Sequence, residues 1–262
     1  MNLDLTNKTA MVCVSTQGIG KAIAIELAKL GANITLVARN EDSLKRVKEE
    51  LDQTKGQKHH FISADFSNPA SVKEKAIEHI KINGAVHILV NNTGGPPGGL
   101  ITSAKTDDFI AAFNSHLICN HELTQAVLDG MKKAKYGRIV NIISTSVKQP
   151  LKGLGVSNTI RAAVANWSKT LANEVASHGI TVNNVLPGAT NTSRLKSIIA
   201  SRSERTGEPQ NEIAREMENE IPAGRFGEPQ EIANVVAFLA SPAAAYINGI
   251  NLPVDGGRTG CL

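Results

Sequence analysis

A chain of 262 residues, 41% hydrophobic and 20% charged, is long enough to bury a sizeable core and needs no metal or disulfide staple to fold. Its net charge of +4 is spread over alternating acidic and basic residues, without the concentrated basic stripe of a nucleic-acid binder. Cys13, Cys119 and Cys261 stand far apart in no metal-ligand spacing, and neither a secretory leader nor an apolar run of about 20 residues occurs. A cytoplasmic protein with no metal, membrane or nucleic-acid partner is expected.

Only 3% of the residues are aromatic, so the core must be built from Val, Ile, Leu and Ala. TAMVCV (9–14) reads as a buried strand, followed by a glycine-punctuated turn and an amphipathic helix over 21–32. ITLVAR (34–39) is a second strand and 41–53 a second helix with charges on its outer face. HHFISAD (59–65) makes a third strand, 70–82 a helix, and VHILVNN (86–92) a fourth strand. A long helix or broken helix pair covers 106–134, and GRIVNIIS (137–144) is the fifth strand. After a loop come a helix over 160–179, a sixth strand, ITVNNVLPG (180–188), and a seventh, GINLPVD (249–255).

Continuous Val/Ile strands alternating with helices imply a parallel sheet covered on both faces. With right-handed crossovers the expected architecture is α/β, a single Rossmann-type doubly wound seven-stranded parallel sheet with helices on both faces. No linker or composition break divides residues 1–262, so one domain is expected. The exception to the regular alternation is 189–224, polar and long, which reads as a lid carrying a helix or two.

Where the first strand meets the first helix, Gly18-Ile19-Gly20 opens the helix, the place where a pyrophosphate sits on exposed backbone N–H groups. Glycine pairs also serve simple turns. Other segments fall in a telling order: VNNTG (90–94), VNIIS (140–144), LPGATNT (186–192), GEPQEIANVVAFLAS (227–241) and VDGG (254–257). With the first turn, they give the whole chain a resemblance to the short-chain dehydrogenase/reductases, and to a divergent branch like the 3-oxoacyl-(acyl-carrier-protein) reductases.

That resemblance implies a dinucleotide held by Ser15, Gln17, Gly18, Ile19 and Gly20 in the first turn. The family's turn begins with a glycine where this chain has Val14, and a β-branched residue resists φ > 0, so the backbone is expected to take a different path there. Ala38-Arg39 ends the second strand. A small residue followed by Arg suits a 2′-phosphate, which favours NADP(H) over NAD(H), although a solvent-facing arginine opening the next helix is the plainer reading. Asp65 matches the family's adenine contact, and Asn91 and Gly94 match its cofactor-supporting NNxG stretch. Pro187, Gly188 and Thr192 match the stretch against the nicotinamide carboxamide.

The family's reductases work with an Asn, a Ser, a Tyr and a Lys. Ser144 matches the serine. At the usual spacing, Ser157 stands in the tyrosine's place and Arg161 in the lysine's, where it can still grip ribose hydroxyls. Neither tyrosine opens a YxxxK motif: Tyr136 is followed four residues later by Val140, and Tyr246 by Ile250. The asparagine's place falls to His116, which titrates near neutrality when exposed. Candidate proton sources are therefore a water, His116, Lys148 or Lys152, and each of these side chains is equally at home as a solvated surface group. Ser157 and Arg161 lie one helical turn apart on one face, so the changes are concentrated rather than scattered.

Two readings stand on the sequence. One is an NADP(H)-dependent carbonyl/alcohol oxidoreductase with a non-standard catalytic set. The other is a catalytically silent nucleotide-binding member acting as a sensor or partner subunit. The resemblance also implies a homodimer or homotetramer built on the helices around 106–134 and 158–178, although intrachain packing explains their apolar faces as well.

Overall fold

The computed structural model describes residues 1–261. Seven strands form one parallel sheet: β1 (Thr9–Cys13), β2 (Asn33–Ala38), β3 (His60–Ser63), β4 (Ile88–Asn91), β5 (Gly137–Ile142), β6 (Ile180–Pro187) and β7 (Asn251–Val254). Their order is β3-β2-β1-β4-β5-β6-β7 and every pairing is parallel. The order reverses direction between β1 and β4, which opens a crevice at the carboxyl ends of those strands.

Among the described residues, nine α-helices cover the sheet and its end: α1 (Gly18–Lys29), α2 (Glu41–Glu49), α3 (Pro69–Asn83), α4 (Thr106–Phe113), α5 (Cys119–Ala134), α6 (Gly155–Val175), α7 (Ser193–Thr206), α8 (Gln210–Asn219) and α9 (Pro229–Ala240). Successive strand residues point to opposite faces, and both faces are buried. Ile88, Val90 and Val140 pack with Ile23 and Leu27 of α1 and Val236 and Leu239 of α9. On the other face Leu89 and Ile139 pack with Val72 of α3, Leu123, Val127 and Met131 of α5 and Leu171 of α6. The expected broken helix is α4 and α5 joined through a π-helical turn, Asn114–Ile118, and His116 sits in that turn. Helices α7 and α8 occupy the polar 189–224 stretch and close a small core of their own, Leu195, Ile199, Ile213, Ile221 and Phe226. Among the described residues no helix is long and apolar enough to cross a membrane, and no cluster of metal-ligating side chains forms.

A polar ladder runs through the sheet between its apolar faces. Asn91 of β4 pairs in register with Asn141 of β5, Asn141 with Asn184 of β6, and Asn184 with Asn251 of β7. Each amide donates to the next: Asn91 Nδ2 to Asn141 Oδ1 (2.9 Å), Asn141 Nδ2 to Asn184 Oδ1 (3.0 Å), and Asn184 Nδ2 to Asn251 Oδ1 (2.8 Å). Asn141 also donates to Ser168 Oγ of α6 at 3.0 Å, which ties the ladder to the helix that carries Ser157 and Arg161.

Buried amides are cheap only while all are paired, because each one orphaned carries a desolvation cost of about 1–3 kcal/mol. Asn141→Ala strands two amides and a serine at once. It should lower unfolding stability by about 3 kcal/mol or more in urea titrations. A loss below about 1 kcal/mol would mean that the ladder does not hold the strands.

Candidate active site

The crevice is built first by the turn after β1. Val14 adopts φ +47°, the left-handed conformation usually left to glycine, so the turn keeps the glycine path that its β-branched side chain was expected to forbid. Neighbours impose it. Ser15, fully buried, accepts the Val37 N–H on its Oγ at 3.1 Å, and Asn92 Nδ2 donates to the carbonyls of Cys13 (3.2 Å) and Val14 (3.4 Å). A Cβ on Gly20 would collide with the Val14 carbonyl, so glycine is required where helix and turn meet. The strain, about 1–2 kcal/mol for a non-glycine residue, is carried by these bonds.

Gly18, also left-handed at φ +53°, lies so near Thr192 that a Cβ would stand 3.2 Å from its methyl group. Helix α1 starts at Gly18 with no side-chain cap and no acidic residue in its first turn, and Gln17 at its N-cap is exposed. Asn40, Asn68 and Thr192 cap α2, α3 and α7. The amides of Gly18, Ile19 and Gly20 are thus left without a side-chain partner, the arrangement that takes an anion. This uncapped, side-chain-free cradle fits a dinucleotide pyrophosphate.

Arg39 is exposed just past β2; its carbonyl accepts the Ser63 hydroxyl at 3.1 Å, and its guanidinium hydrogen-bonds to no described residue. Asp65, exposed after β3, accepts the Ser67 N–H at 2.9 Å; that bond, helped by the Arg39 charge, holds its carboxyl below the usual range. Arg39 thus lies near enough to Asp65 for the two charges to attract.

At the other end, Ser144 follows β5 and caps a 3₁₀ turn over Thr145–Val147. Its Oγ accepts the Ser146 N–H at 3.1 Å, which leaves the hydroxyl hydrogen to donate elsewhere. Ser157, in the first turns of α6, is half-buried and bonds to no described residue. Beside it, a cavity of about 200 Å³ is lined by Val156, Leu100, Pro96, Pro97 and Asp108. Asn91 is buried in the ladder, its Oδ1 unpaired; Gly94 is exposed, with nothing near the place of a Cβ. Gly188 packs against Asp255 and its N–H donates to Val254, so Pro187 and Gly188 ride on β7. Thr192 caps α7 through its Oγ, accepting the Leu195 N–H.

His116 is not the titrating group its position suggested. It is 2% exposed, its Nδ1 shares a hydrogen bond with Thr93 Oγ1, and its Nε2 is buried without a partner. Burial, helped by the nearby positive charge of Arg161, pushes its pKa down to about 2, so it is neutral at every physiological pH. Arg161 is 7% exposed; Nη1 donates to the Ile142 carbonyl at 2.9 Å, while Nε is buried and unpaired. Burial, then the charge of Arg194, lowers its pKa to about 10, which leaves it a cation at neutral pH. Lys148 and Lys152 are exposed on the loop after Ser144.

Three residues the sequence did not single out complete the site. Asn92 clamps the first turn, Thr93 meets His116, and Arg194 reaches from α7 to donate to the Pro96 carbonyl at 2.6 Å. Nothing in sequence spacing pairs Thr93 with a helix residue 23 positions on.

The comparisons with known proteins follow this geometry. A family model described as enoyl-(acyl carrier protein) reductase matches residues 13–259. The 3-oxoacyl-[acyl-carrier-protein] reductase FabG of Vibrio cholerae is 37% identical over 258 residues, covering 97% of this chain and 98% of that protein. FabG of Escherichia coli K12 is 36% identical over 256 residues, with 97% and 98% covered. The solved L-sorbose reductase of Gluconobacter frateurii, complexed with NADPH and L-sorbose, superposes with a TM-score of 0.93 at 30% identity, with all of both chains covered.

A histidine whose folded pKa is depressed from 6.5 to about 2 contributes stability that is fully present above 6.5 and is lost as pH falls below it, because only the unfolded chain takes up the proton. The H116N variant should therefore lose less of its urea midpoint between about pH 7.5 and 5 than the parent does. His59, His79 and His87 are the same in both proteins and cancel in the comparison. Parallel losses in the two would contradict the buried, neutral state of His116.

Proposed function

The chain belongs to the short-chain dehydrogenase/reductase family of oxidoreductases, and from that membership we propose that it interconverts a carbonyl compound and its alcohol with NADP(H), drawing its proton from water. Ser144 carries this reading: its Oγ accepts the Ser146 N–H, which leaves its hydroxyl hydrogen free to donate to a carbonyl oxygen. Bound nicotinamide supplies or accepts the hydride. The first-turn amides of α1 hold the pyrophosphate, and Asp65 and Asn91 support the adenine and the strand ends behind it.

In the reductive direction the carbonyl oxygen becomes an alkoxide and must gain a proton. His116 has none to give, and Arg161 holds its own too tightly. Arg161 instead places a fixed positive charge behind Ser144 and Ser157, which stabilises the growing negative charge on oxygen. Ser157, small and without a partner, leaves room where a tyrosine ring would stand, so a water on its hydroxyl protonates the alkoxide and leaves hydroxide to the solvent. NADP(H) is favoured over NAD(H) because Arg39 offers an exposed guanidinium at the ribose end that joins no ion pair among the described residues, and the NADPH-bound sorbose reductase supports the choice. Helices α7 and α8 serve as the lid of a one-domain enzyme. A homodimer or homotetramer in the cytoplasm completes the reading, supported by Ile110 and Phe113, exposed on α4 although apolar.

The test combines cofactor titration with a panel of carbonyl substrates. NADPH should bind about tenfold more tightly than NADH, one charge-assisted contact being worth that much. Ser144→Ala should lower kcat by about 10²–10³-fold. The pH profile of kcat should be flat through neutrality and fall only as Arg161 loses its proton near 10. Binding of neither dinucleotide, or an ionisation near neutrality controlling kcat, would sink the proposal; binding without turnover across the panel would favour the silent sensor.

A further inference from the structure

Residues 255–261 fold back over three parts of the crevice. Asp255, just past β7, stands against the stretch that follows β6, since a Cβ on Gly188 would lie 2.7 Å from it. Its carboxylate collects donors from the chain's own end. Oδ1 accepts the Gly257 N–H at 3.0 Å, and Oδ2 accepts the Thr259 N–H at 2.8 Å and the Thr259 hydroxyl at 2.6 Å. The result is a tight turn, in which Gly256 and Gly257 supply the left-handed conformations at φ +65° and +87°.

That turn seats the base of the lid. A Cβ on Gly256 would stand 2.7 Å from Ile221, a member of the small core that joins α7 to α8, and the Gly256 carbonyl accepts the Ala223 N–H at 3.1 Å. Gly257 lies along Pro222, and the Arg258 guanidinium donates to the carboxylate of Glu220, the residue that closes α8. Beyond the turn the chain reaches the loop after Ser144. The Gly260 N–H donates to Gln149 Oε1 at 3.4 Å, and the Cys261 thiol to the Lys148 carbonyl at 3.9 Å. Lys148 and Gln149 in turn donate their N–H groups to the carbonyl of Thr145, the neighbour of Ser144, at 2.9 and 3.1 Å.

We infer that this C-terminal turn links the lid to the loop beside Ser144, with Arg258 as a positioning residue. Arg258 touches neither substrate nor cofactor in this role. Through Glu220 it sets where the end of α8 rests, and through the Asp255–Thr259 turn that placement is passed to Lys148 and Gln149. An ionised carboxylate that accepts three donors holds a short turn firmly, so its two ends move together rather than separately. The exposed Arg258–Glu220 pair adds little to global stability, and its effect is local. The opposite end of the lid is seated independently, where Arg194 donates to the Pro96 carbonyl and Thr192 lies against Gly18. The link goes beyond the reductase reading, and its test needs no turnover.

Amide hydrogen exchange is followed by mass spectrometry on the full chain and on Arg258→Glu, Glu220→Arg, the R258E/E220R double variant and Asp255→Asn. Each single charge reversal should speed exchange about threefold in α8 and also at the amides of 147–149, with α2 unchanged as the reference. The double variant restores the pair with its charges exchanged and should bring both segments back to the parent rates. D255N keeps the size of the side chain but loses an acceptor, and should speed both segments without altering either charge of the pair. With a carbonyl substrate that is turned over, R258E should raise KM about threefold at nearly constant kcat, and the double variant should recover it. Parent rates at 147–149 in E220R or in D255N overturn the link, and so does a double variant that restores neither segment. Faster exchange in α2 as well would mean general loosening and overturns it too. If exchange responds as expected and no dinucleotide binds, the link stands and the reductase reading falls; if NADPH-dependent reduction is found and 147–149 ignores the variants, the reverse holds.

Discussion

The register of the central strands is the constraint on which the site depends, and four asparagines hold it. Asn91, Asn141, Asn184 and Asn251 stand opposite one another across β4 to β7, each amide donating to the next. Apolar strands buried on both faces carry little information about their sliding position, because one isoleucine packs much like the next. A buried amide is different: a slip by one residue would turn it to the opposite face and leave it unpaired. Thr93 follows two residues after Asn91, Ser144 three after Asn141, and Pro187 three after Asn184. Aligning the asparagines therefore aligns the groups that act at the crevice.

The departures from the family's catalytic set interlock on that frame. Thr93 takes the place of a small apolar residue and meets His116, which takes the place of an asparagine. Burial, helped by the positive charge of Arg161, keeps His116 neutral. Arg194, from outside the usual set, closes the group from the lid side. On the proposed reading, loss of the tyrosine goes with a polar surround in which charge stabilisation stands in place of proton donation. Decay by drift would leave unrelated side chains without contacts among themselves.

Val14 makes the same point about backbone. A β-branched side chain at positive φ is locally unfavourable, yet the turn is over-determined by Ser15 holding Val37, Asn92 holding two carbonyls, and a glycine at position 20 that lets the helix press close. Local preference of about 1–2 kcal/mol yields to several tertiary contacts acting together.

By itself the sequence determined the parallel sheet and the family, and it proposed the place of the crevice, Ser144 as the family serine and Ser157 and Arg161 in place of the tyrosine and lysine. These follow from period and order along the chain: continuous Val/Ile runs, glycines at a strand–helix turn, motifs in fixed succession. Only the tertiary structure decided the burial of His116, the path through Val14, and the meeting of Thr93 with His116. A pKa depends on what surrounds a side chain in space, and a turn can be forced by residues far along the chain. No spacing rule joins a loop threonine to a histidine 23 positions on, so their contact became visible only once the fold had brought them together.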